Sequence, residues 1–190
     1  MDTDTVTLFL ALLAVVAQVV VVATVVLALA GLVWSPARRI GRRLVDEVGP
    51  QALGLAAGVA MVCTAGSLYF SEVANFTPCR LCWFQRAAMY PLVAILGISA
   101  LARFHRIRPF AALVALVGAG ISTFHVLVEH YPNLETSSCD PNNPCSIKWV
   151  EEFGYLTIPT MALSGFALIL VLLAVARPRS TAPSDALEAP

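Results

Sequence analysis

From Val6 to Trp34 the chain is apolar apart from Thr7, Gln18 and Thr24, and four further apolar stretches follow, at Gln51 to Phe70, Trp83 to Ala102, Pro109 to Val128 and Ile158 to Ala176. Each is near or above the ~20 residues that a helix needs to cross a bilayer. The pattern predicts five transmembrane helices. The segments between them are short and carry the charges. Between Ser146 and Tyr155 a different pattern appears, with Ile147, Val150 and Phe153 at every third position and Lys148, Glu151 and Glu152 elsewhere. That spacing predicts a short helix lying on the membrane surface, which would position the loop between Cys139 and Cys145, or a segment whose Trp149 and Tyr155 are ordinary interfacial anchors.

The first stretch differs from a cleaved secretory leader. Its start, Met1-Asp2-Thr3-Asp4-Thr5, is acidic, the apolar run is long, and the arginines come after it. These features predict a retained helix. The last residues, from Arg177 to Pro190, are rich in Ala, Pro and Ser and are expected to form a disordered tail. The expected organisation is an additional amino-terminal helix with a basic cytoplasmic linker over residues 1–50, a bundle over 51–176 and a cytoplasmic tail over 177–190.

Composition agrees with a bilayer as the main solvent: 58% of residues are hydrophobic, 13% are charged and the mean hydropathy is +0.80. A net charge of zero conceals an uneven distribution. Arg38, Arg39, Arg42, Arg43, Arg103, Arg106, Arg108, Arg177 and Arg179 all fall in alternate loops, which the positive-inside rule assigns to the cytoplasm. The opposite loops hold Glu72, Glu129, Glu135, Asp140, Glu151 and Glu152, and they hold both close cysteine pairs. The arginine clusters lack the aromatic interleaving that would suggest nucleic acid.

Cys79 and Cys82 form C-R-L-C directly after Pro78. Proline is favoured at the first position of a helix, so the pair is expected to open the third spanning helix, where free N–H groups and the helix dipole favour a thiolate. Cys139 and Cys145 bracket a turn-forming Asp-Pro-Asn-Asn-Pro segment, and a disulfide there would close a small exposed ring of the labile kind. A fixed pair and a mobile pair on one face read as an electron relay. Two inert structural disulfides, or a four-thiolate metal site, would use the same residues. Cys63 stands alone and reads as a small buried hydrophobe.

Arg86 follows Cys82 by one helical turn on the same face, where it would serve a Cys82 thiolate and a bound carbonyl, or snorkel to headgroups. His125, near the end of the fourth helix, would hydrogen-bond the same ligand or a neighbouring helix.

The string from Ser67 to Pro91, S-L-Y-F-S-E-V-A-N-F-T-P-C-R-L-C-W-F-Q-R-A-A-M-Y-P, resembles the disulfide bond formation protein B family, particularly its shorter-loop members. The resemblance covers about Gln51 to Ala176. It implies an all-α membrane protein, an antiparallel four-helix transmembrane bundle, here with one additional N-terminal transmembrane helix. It also implies a bacterial cytoplasmic-membrane enzyme that reoxidises an extracytoplasmic thioredoxin-like thiol oxidase and passes the electrons to ubiquinone or menaquinone. By that resemblance Cys79 and Cys82 are the quinone-linked pair, with Arg86 and His125 on the quinone side. Cys139 and Cys145 exchange with the partner, Cys139 being the expected point of attack, and no metal is implied. The vitamin-K-epoxide-reductase-like enzymes couple thiols to quinones too, but carry the two pairs in the reverse order. The helix before Gln51 and the five residues between Cys139 and Cys145 depart from the family pattern.

Overall fold

The computed structural model describes residues 2–135, 139–140 and 142–178. Six α-helices account for most of them: α1 (Thr3–Val33), α2 (Ser35–Val48), α3 (Ala52–Glu72), α4 (Arg80–Leu101), α5 (Arg108–His130) and α6 (Ile158–Val175). Single 3-10 turns at His105–Ile107 and Pro132–Leu134 flank α5. Five of the helices are long and apolar enough to cross a membrane, and the protein is a multi-pass helical membrane bundle. Helices satisfy their own backbone hydrogen bonds, which hydrocarbon demands of any spanning segment.

Helices α3 to α6 run alternately up and down, and each packs against its neighbours in sequence, with α6 closing back on α3. Small residues let the backbones approach. Ala52, Ala56 and Ala60 repeat at one-turn spacing on the buried face of α3, and Ala111, Ala115 and Gly118 do so on α5. A Cβ at Gly118 would collide with the ring of Phe166, so only glycine admits that ring between α5 and α6. Leu92, Leu96 and Ile169 complete the core.

The 31 residues of α1 measure about 46 Å, longer than the ~30 Å hydrocarbon layer. The expected basic linker is in fact a second helix, α2, folded back along α1 so that Gly41 faces Leu27. Charge dominates this segment, and its sparse apolar set, Ala37, Ile40, Leu44 and Val48, nevertheless has helical spacing. Arg38 donates from Nε to the carbonyl oxygen of Gly31 at 2.9 Å and from Nη2 to that of Leu32 at 3.3 Å, capping α1. Arg108 caps α6 in the same way through the carbonyl of Leu173. Both place a cation on orphaned carbonyls at the negative end of a helix. Arg177 pairs with Asp46 at 3.2 Å, tying the end of α6 to α2. The rest of the expected tail, from Arg179 on, lies outside the described residues.

The surface helix expected between Ser146 and Tyr155 does not form. Phe153 and Gly154 have φ of 53° and 75°, in the left-handed region that ends a right-handed helix. Glu152 instead bridges to Leu156 across a tight turn. Val150 is buried while Ile147 and Phe153 are exposed, so the every-third pattern marks no common face.

Candidate functional site

The polypeptide enters α4 through Cys79, whose extended backbone (φ −72°, ψ 174°) makes it the residue just before the first helical turn. Pro78 therefore stands two places before the first helical position, at which the sequence reading put it. Groups N–H in a first turn lack intrahelical acceptors. Here Cys79 Sγ accepts from the Cys82 N–H at 3.3 Å, filling the capping role usually taken by an oxygen. The two sulfurs lie 2.9 Å apart as free thiols. His125 Nε2 is 3.6 Å from Cys79 Sγ. The hydrogen bond from the Cys82 thiol, followed by the contact and charge of His125, holds the Cys79 thiol well below its ordinary acidity value despite burial.

Cys139 and Cys145 are joined as a disulfide. Asp140 starts the ring's turn, its Oδ1 accepting from the Asn142 N–H at 2.9 Å and its carbonyl oxygen from the Asn143 N–H at 2.9 Å. The ring then docks on the entrance to α4. Asn143 Nδ2 donates to the Pro78 carbonyl oxygen at 3.1 Å, and His125 Nε2 reaches the Cys145 carbonyl oxygen at 3.0 Å. The Glu135 carboxylate accepts from the Cys145 N–H and from Ser146 Oγ. The ring is thus less exposed than its composition suggests. Cys145 is 1% accessible and clusters with Cys79, Leu81 and Val128, whereas Cys139 is half-buried.

On the other side of Cys82 opens a cavity of about 540 Å³, with Cys82, Gln85 and Arg86 on its wall and apolar side chains around most of the rest. Arg86 is 9% exposed. Its Nε and Nη2 donate to the Oγ and carbonyl oxygen of Ser67 on α3, each at 2.9 Å, and its guanidinium carbon lies 5.1 Å from the centre of the Trp83 ring. The arginine turns inward to α3 and not outward to headgroups. Gln85 donates to Ser122 at 3.1 Å beside it. Trp149 of the loop also reaches the cavity wall and stacks on Phe76.

Of the six residues singled out in the sequence, Cys82 and Arg86 face the cavity, while Cys79, His125, Cys139 and Cys145 gather at the helix entrance. His125 sits between the sulfur pairs, in contact with Cys79 Sγ and the Cys145 carbonyl oxygen, and is not among the side chains that line the cavity. Ser67, Trp83, Glu135 and Asn143 were missed. Their roles come from contacts between helices and loops, for which local spacing offers no signal. Cys79, Cys82 and His125 bring three ligand atoms within 4.8 Å of one another, a geometry open to a metal ion. A four-thiolate site is not formed, since Cys139 and Cys145 are bonded to each other.

The family model described as "Disulfide bond formation protein DsbB" matches residues 50–176. Among curated proteins, Disulfide bond formation protein C of Bacillus subtilis is 42% identical over 116 residues, covering 60% of this chain and 84% of the relative. Probable disulfide formation protein C 1 of Bacillus anthracis is 40% identical over 121 residues, covering 63% and 87%. A probable disulfide formation protein of Deinococcus radiodurans is 40% identical over 145 residues, covering 67% and 90%. No solved structure matches the chain. With a family match over most of its length and two cysteine pairs docked at one end of a spanning bundle, the chain belongs to the DsbB family of bacterial membrane disulfide oxidoreductases.

Proposed function

We propose that the protein draws electrons from an extracytoplasmic thioredoxin-like dithiol protein and delivers them to a membrane quinone, so that the partner can oxidise exported proteins again. The observation that carries this reading is the docking of one sulfur pair on the other, with His125 Nε2 in contact with both Cys79 Sγ and the Cys145 carbonyl.

The partner's thiolate attacks Cys139, the more accessible sulfur of the ring, and Cys145 leaves as a thiolate. The partner's second thiol then attacks the mixed disulfide, which releases the oxidised partner and leaves Cys139 and Cys145 as a dithiol. Next, a loop thiolate attacks Cys79 of an oxidised Cys79–Cys82 pair and displaces Cys82. The other loop thiol resolves that bond, re-forms Cys139–Cys145 and frees Cys79. Two electrons have then moved from loop to helix. The hydrogen bond from Cys82 and the imidazole of His125 stabilise Cys79 as a leaving thiolate.

The cavity fits a quinone as acceptor: a cationic donor and a cysteine stand at one part of its wall, apolar side chains line the rest, and its volume is that of an ordinary ligand pocket. A quinone supplies a two-electron, two-proton acceptor. Arg86, held to Ser67 by two hydrogen bonds, would offer its remaining N–H groups to a carbonyl oxygen beside Cys82. The arginine-rich end of the bundle would face the cytoplasm and the cysteine end the outside.

Purified protein given a reduced thioredoxin-like oxidase and a quinone should form one quinol per partner disulfide. A metal bound at Cys79, Cys82 and His125, with no quinol formed, would support the metal-site reading instead.

A further inference from the structure

Helix α1 precedes the residues that the family model matches, and the relay described above gives it no task. Its position is nonetheless tightly fixed. Gln18, a polar residue midway along an apolar helix, donates from Nε2 to Ser164 Oγ on α6 at 2.9 Å. Its Oε1 accepts from the Tyr155 hydroxyl, also at 2.9 Å. Amide groups inside a bilayer are costly unless satisfied. Both ends of this one are satisfied, so α1 is held at a single rotation. Nearer its start, α1 packs along α6 and touches α3 through Leu10, which lies where a Cβ on Gly66 would come within 2.9 Å.

Held this way, α1 forms one side of the cavity that begins at Cys82 and Arg86. Leu10, Leu13, Ala14, Ala17 and Val20 recur at intervals of three and four, which is one face of a helix, and all five line it. On α3 the lining runs from Gly54 to Phe70, about 24 Å at the helical rise. Polar groups are concentrated where Ser67, Gln85 and Arg86 meet, and the wall towards Gly54 is apolar. The space therefore suits a molecule with a small polar ring and a long, slender hydrocarbon tail. A ring alone would occupy only its upper part.

We propose that α1 is a ligand-binding helix: it walls a channel for the isoprenoid tail of the quinone, with the tail lying along the Leu10, Ala14 and Ala17 face between α3 and α6. This rests on the reading that the cavity takes the electron acceptor. It makes the protein selective for tailed quinones over the same ring without a tail, because the apolar area buried along α1 is available only to the tail.

The test uses the full chain in lipid nanodiscs and a quinone carrying a photoreactive diazirine on an early isoprenoid unit. After irradiation, adducts are expected on α1 between Leu10 and Val20, and unlabelled tailed quinone should remove them at a concentration at which the tail-less ring does not. Adducts confined to lipid-facing positions such as Leu113 and Leu116 of α5, or adducts that resist competition, would overturn the proposal. In parallel, Ala17→Phe should raise the apparent KM for tailed quinone at least tenfold and leave that for the tail-less ring unchanged. An equal rise for both rings, or no rise for either, would show that α1 only braces the bundle. Competed adducts on α1 without any quinone reduction would sink the acceptor reading and keep the channel. Quinone reduction with adducts elsewhere would do the reverse.

Discussion

Asn143 Nδ2 donates to the carbonyl oxygen of Pro78 across 3.1 Å and so hangs the Cys139–Cys145 ring on the residue that precedes Cys79. The loop bond converts two separate thiol pairs into neighbours, since exchange requires one sulfur to reach another. A single neutral hydrogen bond is worth about 0.5 to 1.5 kcal/mol. Asn143→Ala should then slow transfer from loop to helix by about twofold to tenfold, while reduction of the ring by the partner keeps its rate. Acid quenching followed by alkylation and mass analysis resolves the two steps. Unchanged transfer would mean that His125 and the Glu135 contacts hold the ring without this bond.

Arg86→Met should raise the apparent KM for quinone about tenfold or more, with the response to partner concentration preserved. Loss of a charge-assisted hydrogen bond costs about 1.5 to 3 kcal/mol, which sets that scale where KM follows binding. Arg86→Lys should restore only part, because an ammonium cannot keep both Ser67 contacts and still present a planar fork to a carbonyl. An unchanged quinone response in folded Arg86→Met protein would leave the arginine a purely structural link between α3 and α4.

The acidity of Cys79 predicts a pH profile. Its folded value lies below the ordinary thiol value of 9.0, chiefly through the Cys82 hydrogen bond and then through His125. For a group so depressed, the stabilisation of the reduced protein is fully present above the unfolded value. It is lost as pH falls through the folded one. Alkylation of Cys79 by iodoacetamide should accordingly stay fast at neutral pH and decline only in acid. His125→Phe should move that decline to higher pH. A decline already beginning near pH 9 in the unaltered protein would contradict the assignment.

A membrane-impermeant thiol reagent should reach Cys139 and Cys145 from outside the cell after reduction, because the arginines cluster at the other end of the bundle. Labelling solely from the cytoplasmic side would invert the topology and remove the partner from reach.

Hydropathy makes the spanning helices legible to within three residues at every boundary, since a span needs only length and apolarity. The cysteine pairs were legible as chemistry because their spacing and prolines are local features. The arginines of α2 outweigh its Ile40, Leu44 and Val48 face, so its composition reads as a linker, and its packing against α1 has no signal in local spacing. The Ser146–Tyr155 segment failed for the opposite reason: its apolar spacing was real, but the left-handed turn at Phe153 and Gly154 is set by tertiary context. His125 was found as a residue, yet its place between the sulfur pairs depends on how α5 rotates, which no spacing within α5 specifies. Nothing in the sequence of α1 announces a cavity wall either. Gln18 is the one amide in its apolar run, and its partners lie 137 and 146 residues away.

The central claim is the order of electron flow: loop pair, helix pair, quinone. Rapid mixing of fully oxidised protein and excess quinone with one equivalent of reduced partner, quenched over time, measures it directly. The account predicts that the Cys139/Cys145 dithiol appears first, that the Cys79/Cys82 dithiol follows as the loop reoxidises, and that quinol absorbance rises last. In Cys82→Ser protein the loop pair should still be reduced and no quinol should form. Quinol appearing before any reduction of the Cys79–Cys82 pair, or forming at the normal rate in Cys82→Ser protein, would contradict it.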